Sequence, residues 1–118
     1  MTENSSCILY GIKNCDSVKK ARQWLEKNNL EYQFHDFRVD GLTPEQLQMF
    51  IEQAGWESLL NKRSTSWRQV DEAQKRDLNA EKAAALMLAN LTLIKRPVLV
   101  AGEQVFIGFN AETYQTLL

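Results

Sequence analysis

The 118 residues predict an α/β (α+β) fold, one four-stranded mixed sheet with an inserted helical subdomain. Three observations lead there. Two short segments, "CILY" at 7–10 and "EYQFH" at 31–35, bracket a stretch whose apolar residues recur at helical spacing. A strand, a helix and a strand at that distance make a βαβ unit, so the two strands run parallel. Near the other end, "PVLV" at 97–100 and "VFI" at 105–107 flank a turn and read as an antiparallel hairpin. Between the two signatures lies a run of capped helical segments, the insert, at about 43–90.

The first strand is Cys7–Tyr10, and Gly11–Asn14 is a loop. The helix signal begins near Asp16, with Val18, Ala21 and Leu25 on one face. Asn28 and Asn29 stop it. In 31–35 polar and aromatic residues alternate, as in a half-buried strand. Thr43 caps the next helix, Pro44 takes its first position, and Gln46 completes a capping box. Leu47, Phe50, Ile51 and Ala54 form its buried stripe, and Gly55 ends it. Residues 56–60 make a short further turn, 61–66 a polar loop, and 67–77 a helix. Asn79 caps the Ala/Leu-rich helix "AEKAAALMLAN". The hairpin turns at Ala101–Gln104, and Asn110 caps a C-terminal helix, "AETYQTLL". A parallel pair joined to an antiparallel hairpin, with helices packed on the sheet, is the plan of a thioredoxin fold. Residues 1–118 read as a single domain, without repeats or linkers.

Composition narrows the function. The net charge of -1 gives no reason to expect nucleic acid or an anionic membrane as partner. No apolar run approaches the roughly 20 residues that span a bilayer. The opening "MTENSS" lacks the basic start and apolar middle of a signal peptide, so a cytoplasmic protein is expected. Two cysteines are too few for a disulfide framework, and the strand geometry keeps Cys7 and Cys15 apart. With one histidine, His35, a metal site is not expected either.

Cys15 is the residue to explain. It sits just before or at the start of a helix, where backbone N–H groups lack partners and the helix dipole is positive. Lys13 and Lys19 flank it. Each of these terms favours the thiolate, the form that attacks. Asp16 opposes them unless it points away. Cys7, inside an apolar strand, reads as a buried structural thiol. A dithiol oxidoreductase would carry a second cysteine where Val18 stands. Its absence points to monothiol chemistry, completed by an outside thiol such as glutathione. Arg96 and Arg63 are candidate carboxylate or oxyanion binders. His35, beside Asp36 and Arg38, reads as a hydrogen-bonded structural histidine. Ser17 and Trp67 read as a helix-start residue and a packing residue. In a thioredoxin fold the proline at position 97 would be cis and would face the active cysteine. The Arg96 backbone would then be free to pair with an extended thiol peptide.

Taken together, "LYGIKNCDSVKKARQWLE", "FHDFRVDGL", "GWESLLNKRSTSWR" and "IKRPVLV" resemble the arsenate reductase (ArsC)-like family. The nearest likeness is to its small YffB branch, related to the Spx regulators. The resemblance runs from about Ile8 to Tyr114. It implies a thioredoxin-like fold with a helical insert and Cys15 as nucleophile. In the true arsenate reductases that it resembles, glutathione and glutaredoxin complete the reduction and three arginines hold the oxyanion. Arg96 matches one of them. The insert arginine falls nearest Asn61, with Arg63 two residues on, and the third falls near Gly108. The resemblance therefore implies a glutathione-dependent monothiol oxidoreductase, acting on a disulfide, a mixed disulfide or an oxyanion. Glutathione is its co-substrate, glutaredoxin a candidate partner, and no cofactor is bound. Lys13, Asn14, Arg63, Arg96 and Pro97 are its expected binding residues, in a monomer. Arsenate reduction proper is one alternative. The other is an Spx-like regulator that binds RNA polymerase through the α subunit's C-terminal domain.

Overall fold

β-branched and aromatic residues dominate the four strands, and their pairing follows the hydrophobic pattern. The computed structural model describes residues 7–118. The "MTENSS" stretch read for a signal peptide lies outside them. β1 (Cys7–Gly11) pairs in parallel with β2 (Gln33–Asp36) and antiparallel with β3 (Val98–Ala101). β3 continues antiparallel to β4 (Gln104–Ile107), giving the sheet order β2-β1-β3-β4. α1 (Asp16–Lys27) supplies the crossover between β1 and β2. The mixed sheet is therefore thioredoxin-like, as the strand signatures predict.

Two compact units divide the chain. One holds the sheet, from the first strand to Gly41 and from Arg96 to Leu118. Its core joins Leu9 and Leu99, opposite each other across β1 and β3, to Val18, Ala21 and Leu25 of α1. α8 (Ala111–Tyr114) adds Tyr114, whose ring meets Trp24, Phe106 and Phe109 edge-on at centroid distances of 5.5, 5.8 and 5.1 Å. Edge-to-face geometry suits the aromatic quadrupoles and adds to the apolar burial.

Leu42–Lys95 forms the other unit. α3 (Pro44–Ala54) begins with the full capping box of Thr43 and Gln46 and ends at Gly55, whose φ of 86° suits glycine. Leu47, Phe50 and Ile51 are buried there as the stripe predicts, while Ala54 is half-buried. α4 (Trp56–Leu59) is the short further turn. α7 (Ala80–Ala89) starts at Asn79, whose Oδ1 accepts the Lys82 N–H at 2.8 Å.

Several stretches depart from the sequence expectation. Residues 67–77 do not form one helix. They hold the end of α5 (Thr65–Arg68), capped by Ser64, and the separate turn α6 (Glu72–Lys75). Ser64 accepts the Trp67 N–H at 3.1 Å, which starts the first turn inside the stretch read as loop. Gln69, Val70 and Asp71 separate the two turns. An extra turn, α2 (Phe37–Asp40), follows β2 and is capped by Asp36. The strand β2 begins at Gln33 instead of Glu31, and β3 begins at Val98 instead of Pro97, which has no N–H to give the ladder. The C-terminal helix relaxes after Tyr114 into a 3₁₀ turn, Gln115–Leu117. No helix among the described residues is long and apolar enough to cross a membrane.

Candidate active site

A row of four residues crosses one end of the sheet, two of them at strand ends and two just beyond. Gly11 pairs with Asp36 at the end of β1 and β2. One step beyond Tyr10↔Val98, the antiparallel register sets Pro97 beside Gly11. One step beyond Val98↔Ile107, it sets Gly108 beside Pro97, and the Gly108 N–H donates to the Pro97 carbonyl at 2.8 Å. The Arg96–Pro97 peptide is cis. The loop carrying Lys13, Asn14 and Cys15 leaves from this same end.

Gly11 lets that loop start where it does. A Cβ on Gly11 would lie 2.6 Å from Val18 Cγ2. Val18 is wholly buried and has no room to yield. The close approach of β1 and α1 brings the helix start to the strand end. The Cys15 N–H donates to the Ile12 carbonyl at 3.2 Å, closing the turn.

Cys15 is the N-cap of α1, extended at φ -107° and ψ 128°. Its carbonyl accepts the first helical bond, from the Lys19 N–H at 2.9 Å. The amides of Asp16, Ser17 and Val18 stand ahead of that ladder, at the positive end of a 12-residue helix. The Cys15 side chain makes no capping hydrogen bond. Its sulfur is half-buried against the apolar core, while Lys13, Asn14, Asp16 and Ser17 are exposed. Both cysteines are free thiols. Burial pushes the Cys7 thiol up from its ordinary 9.0.

Asp36 is the site residue that sequence reasoning missed. It is 9 % exposed, and its carboxylate accepts two backbone N–H groups. Oδ2 takes the Lys13 amide at 3.3 Å, and Oδ1 takes the Arg38 amide at 2.8 Å. Its own N–H donates to Asp40 Oδ2 at 3.1 Å. One buried carboxylate thus caps α2 and ties down the loop two residues before Cys15. The cap pattern Asp36–Phe37–Arg38 was the available signal. His35 is structural as read, although its partner is different. Its Nε2 lies 2.6 Å from the Gly41 carbonyl oxygen, and its ring packs on Tyr10 at 4.7 Å.

Lys13, Asn14, Cys15, Arg96 and Pro97 all belong to the sheet-bearing unit, with Arg96 half-buried. Arg63 belongs to the helical unit, where its N–H donates to Asn61 Oδ1 at 3.1 Å. Gly108 has a φ of 78°, a conformation that disfavours arginine on backbone grounds alone.

A free cysteine at a helix start, on a mixed four-stranded sheet whose same end carries a cis proline, defines a thioredoxin-like fold. The chain belongs to the ArsC family, whose model matches residues 10–117. It is 49% identical to an uncharacterized protein of Haemophilus influenzae, over 91% of this chain and 94% of that one. The solved structure of a YffB protein is 44% identical, with a TM-score of 0.90, covering 93% of this chain and 96% of the other. The global transcriptional regulator Spx of Lactiplantibacillus plantarum is 23% identical, over 94% of this chain and 85% of its own.

Proposed function

We propose that the protein is a cytoplasmic monothiol oxidoreductase that uses glutathione as co-substrate. The observation that carries this reading is Cys15 at the α1 N-cap, its side chain uncommitted to capping, at the sheet end that bears cis-Pro97. In the proposed cycle the Cys15 thiolate attacks one sulfur of a disulfide R–S–S–R′. The old S–S bond breaks, R′S⁻ leaves and takes a proton, and Cys15–S–S–R forms. Glutathione thiolate then attacks the R sulfur, giving R–S–SG and returning the Cys15 thiolate. Glutathione supplies the one new thiol that the balance needs. Lys13 and the α1 N-terminus are the groups proposed to face the sulfur, and Asn14 is a proposed glutathione-binding residue. The Arg96 backbone beside Pro97 offers a slot for an extended peptide, and Arg96 and Arg63 are the proposed carboxylate binders. No bound cofactor enters the cycle, and glutaredoxin is a candidate reductant of the product R–S–SG.

Val18 supports the monothiol form. It occupies the position of a resolving cysteine, and it is a wholly buried core residue. Glycine with positive φ at position 108 weighs against arsenate reduction, for which the family resemblance asks an arginine there. The Spx relatives, global transcriptional regulators, favour a second reading: a regulator that, as the family resemblance implies, acts by binding RNA polymerase. The test is turnover of a glutathione mixed disulfide by the wild type and by Cys15→Ser. Loss of turnover and of the glutathione adduct in the variant is expected. Full activity in Cys15→Ser would sink the proposal. No turnover by the wild type, together with capture of the polymerase α C-terminal domain, would favour the regulator.

A further inference from the structure

Within the helical unit, α7 carries apolar residues on two sides. Ala83 and Met87 are its buried residues. Lys82, Ala85, Leu86 and Ala89 recur at spacings of three and four and mark a second stripe. That stripe, Ala73 of α6 and Arg76 just after α6 line one cleft of about 390 Å³, which lies wholly within Leu42–Lys95. Its apolar floor is open: Ala73, Ala85 and Ala89 are exposed, and Leu86 is half-buried. Arg76 and Lys82 bring two cations to it, and no carboxylate lines it. Both are exposed, and among the described residues neither joins an ion pair. Asp77 and Glu81 are their sequence neighbours, yet both stand outside the cleft.

An exposed apolar helix stripe rimmed by unpaired cations complements apolar groups flanked by acid. We propose that this cleft docks an acidic amphipathic helix of another protein. Apolar residues of that helix lie against Ala85, Leu86 and Ala89, where the small alanine side chains let a second backbone come close. Its carboxylates meet Arg76 and Lys82. The stripe runs about 10 Å along α7, two helical turns, which is the span of an i, i+3, i+4, i+7 contact. Charge argues against a second copy of this chain, because an isologous pair would set the same two cations against each other. Shape argues against a small apolar acid, because a small-molecule site encloses most of its ligand and this floor is open. Cys15 belongs to the other unit, so the inference stands whether or not Cys15 transfers thiols.

Titration of the full ¹⁵N-labelled chain with a synthetic helix tests it. The probe is a peptide of about 16 residues, with leucines at helical spacing and glutamates along both flanks of that stripe. Saturable amide shifts centred on 73–76 and 82–89 are expected, with a dissociation constant of roughly 100 μM. Ala85→Glu places a carboxylate on the floor, at an exposed position where glutamate suits a helix, and should weaken the peptide about tenfold. Lys82→Glu, in a first turn that favours acid, should weaken it about fivefold. A peptide with lysine in place of glutamate should bind the wild type more weakly and Lys82→Glu more tightly. Cys15→Ser should bind like the wild type. Four results would overturn the proposal. One is no saturable shift at these residues. Another is equal affinity for the glutamate and lysine peptides, which would mean unselective apolar adhesion. A third is self-association of the wild type in sedimentation that Ala85→Glu abolishes, which would give the face to a second copy. The last is octanoate binding there more tightly than the peptide, which would make the cleft a small-molecule site.

Discussion

Cys7 and Cys15 are one residue type in one structural unit, both free and both half-buried against the same apolar core. Their backbones make them different. Cys7 opens β1 and pairs with Ala101 in the sheet, where neighbouring amides are spent on the ladder. Burial there favours the neutral thiol. Cys15 stands where a helix begins, with three amides ahead of the first helical bond. Exposure alone would not separate these two thiols. The supply of uncommitted backbone N–H groups does.

The sharpest way to break this comparison is to remove each thiol in turn. At pH 7, Cys15→Ser should cut the rapid alkylation of the protein by about 100-fold, and Cys7→Ser should leave it nearly unchanged. Mass-resolved iodoacetamide labelling reads both, and equal rates at the two sites would refute the distinction. Next in size is Gly11→Val. A side chain there meets the immovable Val18, and a loss of about 3 kcal/mol in urea unfolding is expected, with Cys15 displaced. If Gly11→Val were as stable as the wild type, the close approach would not be needed.

Asp36→Ala should cost about 2 kcal/mol, because the Lys13 and Arg38 amides lose a buried acceptor. It should also slow Cys15 alkylation several-fold while leaving Cys7 unchanged. Asp36→Asn, which keeps one acceptor oxygen, should recover part of both losses. Uniform changes at the two cysteines would mean that Asp36 only stabilises the fold.

The smallest effect concerns alkaline pH. Burial raises Cys7 from 9.0 and Tyr114 from 10.0, so the folded state holds protons that the unfolded chain has released. Stability is complete below those ordinary values and falls as pH rises through the window above 9.0 and then above 10.0. Tyr114→Phe should flatten the upper part of that decline in melting curves. It loses only a long hydroxyl contact, 3.4 Å to the Gly108 carbonyl. An unchanged slope would remove Tyr114 as its cause.

Much of the sheet-bearing unit could be read directly. Val18, Ala21 and Leu25 mark the buried face of α1, and the hairpin turn lies where Gly102 predicts it. Caps at Thr43, Asn79 and Asn110 hold their helices as their side chains suggest. The stretch 67–77 misled because its composition suits a helix throughout. Neither α5 nor α6 buries a single residue, so no apolar stripe exists to join them. Of the candidate site, Cys15 at a helix start was legible, since capping and charge are local. Asp36 was not, because its hydrogen bond to the Lys13 amide spans 23 residues and depends on β1 and β2 pairing in register.

The sequence by itself determined the order of the strands, the starts of α1, α3, α7 and α8, and the local setting of the Cys15 junction. These follow from interactions among residues a few positions apart, which periodicity and capping record. Only the tertiary structure decided which residues stand beside that junction. Asp36, Gly11, Pro97 and Gly108 come into one row through strand pairing. The physical reason is that long-range hydrogen bonds form only after the core has brought the strands and turns together, and no local pattern encodes their partners.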